Sequence, residues 1–153
     1  MIKHTVLALT LTLAACGPAT PPPKTTGPAP GVTAADAKAG CIKLREKQRS
    51  CTTDFIPALV DSRIKVDVPP GIAAAAKADG RDALVAKAHE EWKQDSTDAA
   101  IAAMCEKMPM PPNATPAHRE AAAKCLAMDD CKAFVGCFLP ILEELLASGS
   151  PKK

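Results

Sequence analysis

Six cysteines, Cys41, Cys51, Cys105, Cys125, Cys131 and Cys137, constrain this chain more than any other feature. The side chains around them are poor core material: three Phe, one Trp, no Tyr and abundant Ala. Small side chains lose little entropy on burial, but each removes little apolar area from water. A domain built from them benefits from covalent staples, and an even cysteine set outside the cytosol reads as three disulfides. Metal and redox alternatives fail on spacing. There is no C-x-x-C pair for zinc or for a thioredoxin-type centre, and no C-x-x-C-H for haem attachment.

The segments between the cysteines read as helices. Thr33-Ala34-Ala35-Asp36 has the form of a capping box. From there Cys41, Leu44, Cys51, Phe55 and Leu59 recur at helical spacing, while Arg45, Glu46, Lys47 and Arg49 are expected to face water. Pro57 is expected to kink this helix or to start a separate one. Residues 62–71, SRIKVDVPPG, alternate like a strand but have no partner, so they read as an extended connector. A second helix begins at Asp79-Gly80-Arg81-Asp82 and carries Leu84, Val85, Ala88 and Trp92. Ser96-Thr97-Asp98 caps a third, burying Ile101, Met104 and Cys105. After the loop MPMPPNATP, Thr115 and Pro116 open a fourth helix that runs to about Leu126. Asp129 starts a fifth, bent at Pro140, ending before a short tail at 149–153. The expected fold is all-α: a small irregular bundle of about five helices over 33–148, stapled by three disulfides.

Helix geometry limits the pairing. Cys41 and Cys51 stand about 15 Å apart along one helix and Cys131 and Cys137 about 9 Å apart along another. A disulfide needs Cα atoms within ~7 Å. Neither pair can form within a continuous helix. The expectation is that Cys41 and Cys51 take Cys131 and Cys137 in either order, with Cys105 joined to Cys125.

The N-terminus supplies an address. A basic start, MIKH, precedes an apolar run from Val6 to Ala15, too short for the ~20 residues that span a bilayer. It ends in Leu13-Ala14-Ala15-Cys16, which resembles the lipobox of bacterial lipoproteins. The resemblance implies that residues 1–15 are a removable signal peptide and that Cys16 carries the lipid. Gly17 stands where an Asp in that family often retains the protein at the inner membrane, which implies the outer membrane, on its periplasmic or outer face. GPATPPPKTTGPAPG then reads as a tether within residues 16–32. It spans up to about 45 Å in the polyproline form. Within the domain, FIPALVDSRIKVDVPPGIA and CLAMDDCKAFVGCFLP resemble uncharacterised Cys-rich lipoproteins of myxobacterial type, a likeness that implies no activity. The C-x9-C of Cys41 and Cys51 resembles half of a twin C-x9-C hairpin, but the later spacings do not repeat it.

Few residues suggest chemistry. His89-Glu90-Glu91-Trp92-Lys93 opens like H-E-x-x-H, yet Lys93 stands where the second His belongs, and His118 lies on another helix. Asp129 and Asp130 sit at a helix start, where capping accounts for them. No phosphate loop, nucleophile elbow or dinucleotide fingerprint occurs. The net charge of +2 shows no basic stripe for nucleic acid. No catalytic residue, metal site or cofactor is expected. The most apolar stretch of the domain, Phe138-Leu139-Pro140-Ile141-Leu142 with Leu145 and Leu146, packs a core or lines a groove. In the groove reading, Phe138, Leu139, Leu142 and Leu145 would hold an acyl chain or a peptide. The sequence thus points to a non-enzymatic envelope lipoprotein. It would meet the membrane through Cys16 and an envelope protein through its domain, with carriage of an apolar ligand as the alternative.

Overall fold

The computed structural model describes residues 33–108 and 110–149, so the signal and tether expected over 1–32 lie outside the described residues. Seven helices occur there and no strand: α1 (Ala34–Ser50), α2 (Thr52–Val66), α3 (Ile72–Asp79), α4 (Arg81–Asp95), α5 (Asp98–Lys107), α6 (Pro116–Leu126) and α7 (Cys131–Gly149). The all-α class holds. The count of five does not, because the first expected helix divides and Ile72–Asp79, just after the expected connector, form a helix of their own.

The division comes at Cys51, not at Pro57. Thr33 and Asp36 close the capping box of α1, and the same bonds hold the Asp36 carboxyl below its usual pKa. At Cys51 the backbone turns, with φ −104° and ψ 20°. Its N–H still donates to the Lys47 carbonyl at 3.1 Å, and its carbonyl still accepts from Phe55 N–H at 2.8 Å. The chain therefore bends without stranding its polar groups. Pro57 lies in the second turn of α2, where its missing N–H costs only the bond to Thr53, an exposed residue that water can reach.

The expected connector is helical as far as Val66, since a lone strand would leave its backbone unpaired. Asp67 ends α2 in the left-handed conformation, φ 50°. Its Oδ1 accepts from the N–H groups of Gly71 (2.9 Å) and Ala73 (3.1 Å), so the residue whose backbone ends α2 caps α3 with its side chain. The run IAAAAKAD that forms α3 shows no apolar periodicity, and the high helix propensity of Ala accounts for it. Gly80, φ 88°, turns the chain into α4.

Helices α2 and α7 are the centre, and they run parallel. Cys51 is bonded to Cys131 at their N-terminal ends, and Ser62 and Lys65 meet Glu143 towards their C-terminal ends. Between them and α4 lie Phe55, Ile56, Trp92, Phe134, Val135, Phe138 and Leu139. All four aromatic residues of the chain are in this core. Phe55 meets Trp92 at 5.8 Å, tilted, and Phe134 stacks on Phe138 at 5.7 Å. The Trp92 indole N–H donates to Thr52 Oγ1 at 3.0 Å, and the Thr52 hydroxyl donates to the Arg49 carbonyl at 2.6 Å. These bonds tie α4 to the bend. Helix α5 lies antiparallel to α1, with Arg49 on Asp98 at one end and Lys38 on Glu106 at the other. Arg45 and Arg49, expected in water, are half-buried, and Gln48 is buried on the same face.

The disulfides join Cys41 to Cys105, Cys51 to Cys131 and Cys125 to Cys137. The two excluded pairs are absent, and Cys51–Cys131 is one of the expected alternatives. The other expected pairs, Cys41–Cys137 and Cys105–Cys125, do not form. Antiparallel packing decides this. Helix α5 returns along α1 and brings Cys105 beside Cys41. Helix α6 runs antiparallel to α7 and brings Cys125 beside Cys137. In the chain-entropy model the 80-residue separation of Cys51 and Cys131 gives more stabilisation than the 12-residue one of Cys125 and Cys137, about 4.5 against 3 kcal/mol. Each pair has one fully buried and one partly buried member, so packing losses are matched. Urea unfolding of Cys51→Ala/Cys131→Ala is expected to show the larger loss of stability. An equal or smaller loss than in Cys125→Ala/Cys137→Ala would contradict the loop argument.

Candidate functional site

Of the four residues expected to line an apolar groove, Leu142 and Leu145 line an open one and Phe138 and Leu139 do not. Phe138 and Leu139 are buried in the core against α2. Helix α7 puts them on its inner face, and the face one turn further on, Leu142, Leu145 and Leu146, floors an open groove of about 410 Å³. One wall is the loop after α2, with Val68, Pro69 and Pro70, where the Val68–Pro69 peptide is cis. The other wall is the loop before α6, with Pro111 and Asn113, and Gly149 closes the end.

Polar contacts fix these walls. Asn113 Nδ2 donates to the Leu145 carbonyl and to Ser148 Oγ, both at 2.7 Å. It thereby occupies carbonyl capacity near the C-terminus of α7 and pins the proline loop to it. This role was not legible in the sequence, where Asn113 is one residue of the loop MPMPPNATP. Thr115 caps α6, accepting from His118 N–H at 3.2 Å while its own N–H donates to His118 Nδ1 at 3.2 Å. That network assigns the ring proton to Nε2, which lies 3.2 Å from Glu144 Oε1. His118 thus joins α6 to α7 and is mostly buried, not exposed. Glu143 accepts from Lys65 at 2.6 Å and from Ser62 at 2.8 Å, and these bonds hold its carboxyl below the usual glutamate pKa.

The remaining candidates do structural work. Asp130 Oδ1 accepts from Ala133 N–H at 2.8 Å, so Asp130 caps α7, while the Asp129 carbonyl accepts from Lys47. Lys93, in the place of the second His, pairs with Glu90 at 2.6 Å. Among the described residues no group of three or more His, Cys, Asp or Glu could hold a metal ion, and no helix is long and apolar enough to cross a membrane. No family model matches the chain, and neither does any curated protein or solved structure.

Glu143 gives the site a pH signature. Its folded pKa is lowered, so its contribution to stability is present above the unfolded value and is lost as pH falls through the folded one. Asp36 and Asp61 are lowered too and share this acid arm. Thermal unfolding of Glu143→Gln is expected to show a lower Tm at neutral pH but a smaller drop from pH ~5 to ~3 than the parent. A parallel drop in both would show that the Ser62–Glu143–Lys65 contact contributes nothing to stability.

Proposed function

We propose that this chain is a lipid-anchored domain of the bacterial envelope, exported and held at the outer membrane through an acylated Cys16. It acts there without catalysis, by binding an envelope protein or in a structural role. The cysteine count carries the reading. The chain has seven Cys, six of them are spent on three disulfides, and the seventh ends the lipobox Leu13-Ala14-Ala15-Cys16. Disulfides that join the first helix to the fifth and the bend to the last suit an oxidising compartment, where they persist. A domain so closed presents rigid surfaces at the end of a proline-rich tether. Two or more acyl chains hold such a protein stably, at ~0.8 kcal/mol per buried CH₂.

The intact mass of detergent-extracted protein, alkylated without reductant, tests this. The expected species begins at Cys16, carries acyl groups there and takes up no alkylating agent. Cys16→Ser should move the protein from the membrane fraction to the soluble one. A chain that keeps residues 1–15, or that starts at Cys16 without lipid, would overturn the anchor.

A further inference from the structure

The arginines of this fold differ in how their charge is met. Arg81 forks onto both carboxylate oxygens of Asp61, and Arg49 bonds to Asp98 and to the Ser96 carbonyl. Arg45 on α1 and Arg63 on α2 have no carboxylate partner among the described residues, although both are half-buried. They stand on the two arms of the bend at Cys51. Burial, and next repulsion from Arg63, hold the Arg45 guanidinium below the usual arginine pKa. Asp95, exposed at the end of α4, pulls the other way but forms no ion pair with either. The Arg45 side chain bonds to Gln48 Oε1, a neutral acceptor, at 3.3 Å. Gln48 is only 3 % exposed. Its Nε2 donates to no described residue, yet none of their buried side-chain nitrogens or oxygens lacks a partner. This amide edge therefore opens to solvent beside Arg45.

Two guanidiniums that are partly desolvated and repel each other cost stability unless an anion stands between them. An arginine fork matches pairs of phosphate oxygens, and the buried Gln48 amide adds a donor that packing holds in place. A phosphate, with acceptors on every side, can meet donors from two helices at once, whereas a planar carboxylate is satisfied by one fork. We infer that Arg45, Arg63 and Gln48 form a binding site for a phosphate group, shared by α1 and α2. The ligand bridges the two arms of the bend. Asp95 limits its affinity, since that carboxylate repels the same ligand. The site uses no residue of the groove or of the lipobox, so it goes beyond the envelope reading and does not depend on it.

Titration calorimetry of the disulfide-bonded Cys16→Ser protein with inorganic phosphate, at constant ionic strength in chloride, tests this. Saturable binding at a single site is expected. Arg45→Met and Arg63→Met keep an apolar stem and remove the fork, and each should weaken binding about tenfold or more. Asp95→Asn should tighten it, and Lys124→Gln, exposed on α6, should leave it unchanged. Glycerol 3-phosphate in place of phosphate distinguishes an esterified group from the free ion, and binding of either supports the site. Acetate is expected to bind about tenfold more weakly or worse. In phosphate-free buffer the unfolding midpoint of Arg63→Met should equal or exceed that of the parent, because a repulsion is lost. Four outcomes overturn the inference. They are no binding of either phosphate, acetate binding as tight as phosphate, full binding by the folded Arg45→Met or Arg63→Met chain, and a lowered midpoint of phosphate-free Arg63→Met. The last would show that the fold itself holds the Arg63 charge. Failure here leaves the anchor standing, and an unlipidated Cys16 in the intact protein leaves this site standing.

Discussion

At Cys51 three constraints coincide. The backbone bends there between α1 and α2, the side chain is buried in the core, and the sulfur is joined to Cys131 at the start of α7. Because the bend keeps its backbone bonds to Lys47 and Phe55, the chain can turn beneath a packed core without leaving polar groups unpaired. The bond to Cys131 then sets α2 and α7 side by side and parallel, an arrangement that two distant helices would otherwise reach only by closing a long loop. The aromatic core forms between them, and Trp92 on α4 covers its edge through Thr52. The other two disulfides secure antiparallel neighbours, α1 with α5 and α6 with α7. They reinforce pairs that polar contacts also hold, the ion pair of Lys38 with Glu106 and the approach of His118 Nε2 to Glu144.

This frame explains how an alanine-rich chain with four aromatic residues holds one arrangement. Helices α3 and α5 bring mostly Ala to their faces and have little area to bury. Position is given to them by covalent bonds, by the Asp67 and Thr97 caps, and by Arg49 bonded to both Ser96 and Asp98. The apolar face of α7 is broader than one partner can cover. Its inner stripe, Phe134 to Leu139, is buried against α2, and the stripe from Leu142 onward becomes the floor of a groove walled by prolines. The groove is thus a by-product of how far α2 extends. It ends at Asp67, and Val68, Pro69 and Pro70 turn away to form a wall.

Much of the fold was legible in the residues. Thr33, Thr97 and Thr115 announce helix starts that the structure contains, and the stripe of Leu44, Cys51, Phe55 and Leu59 is core-facing throughout. What was not legible depended on tertiary context. Pro57 is the residue that should break a helix, yet the bend falls at Cys51, because a disulfide partner and not local propensity sets it. Ile64, Val66 and Val68 alternate like a strand, but without a partner the backbone closes its own bonds as a helix. The pairing of Cys41, Cys105, Cys125 and Cys137 required knowing that α5 folds back on α1, which no spacing encodes. Phe138 and Leu139 stand beside Leu142 in sequence, and only the position of α2 separates core from groove. Asn113 is an ordinary loop residue by sequence, and only the C-terminus of α7 gives it a partner.

The account rests on which cysteines are joined, since the pairing fixes the parallel α2–α7 centre and leaves Cys16 as the remaining thiol. Mass mapping of a proteolytic digest of the unreduced protein, with thiols blocked before cleavage, reads this directly. The account requires peptides linking Cys41 to Cys105, Cys51 to Cys131 and Cys125 to Cys137. A peptide linking Cys105 to Cys125, or any link to Cys16, would contradict it.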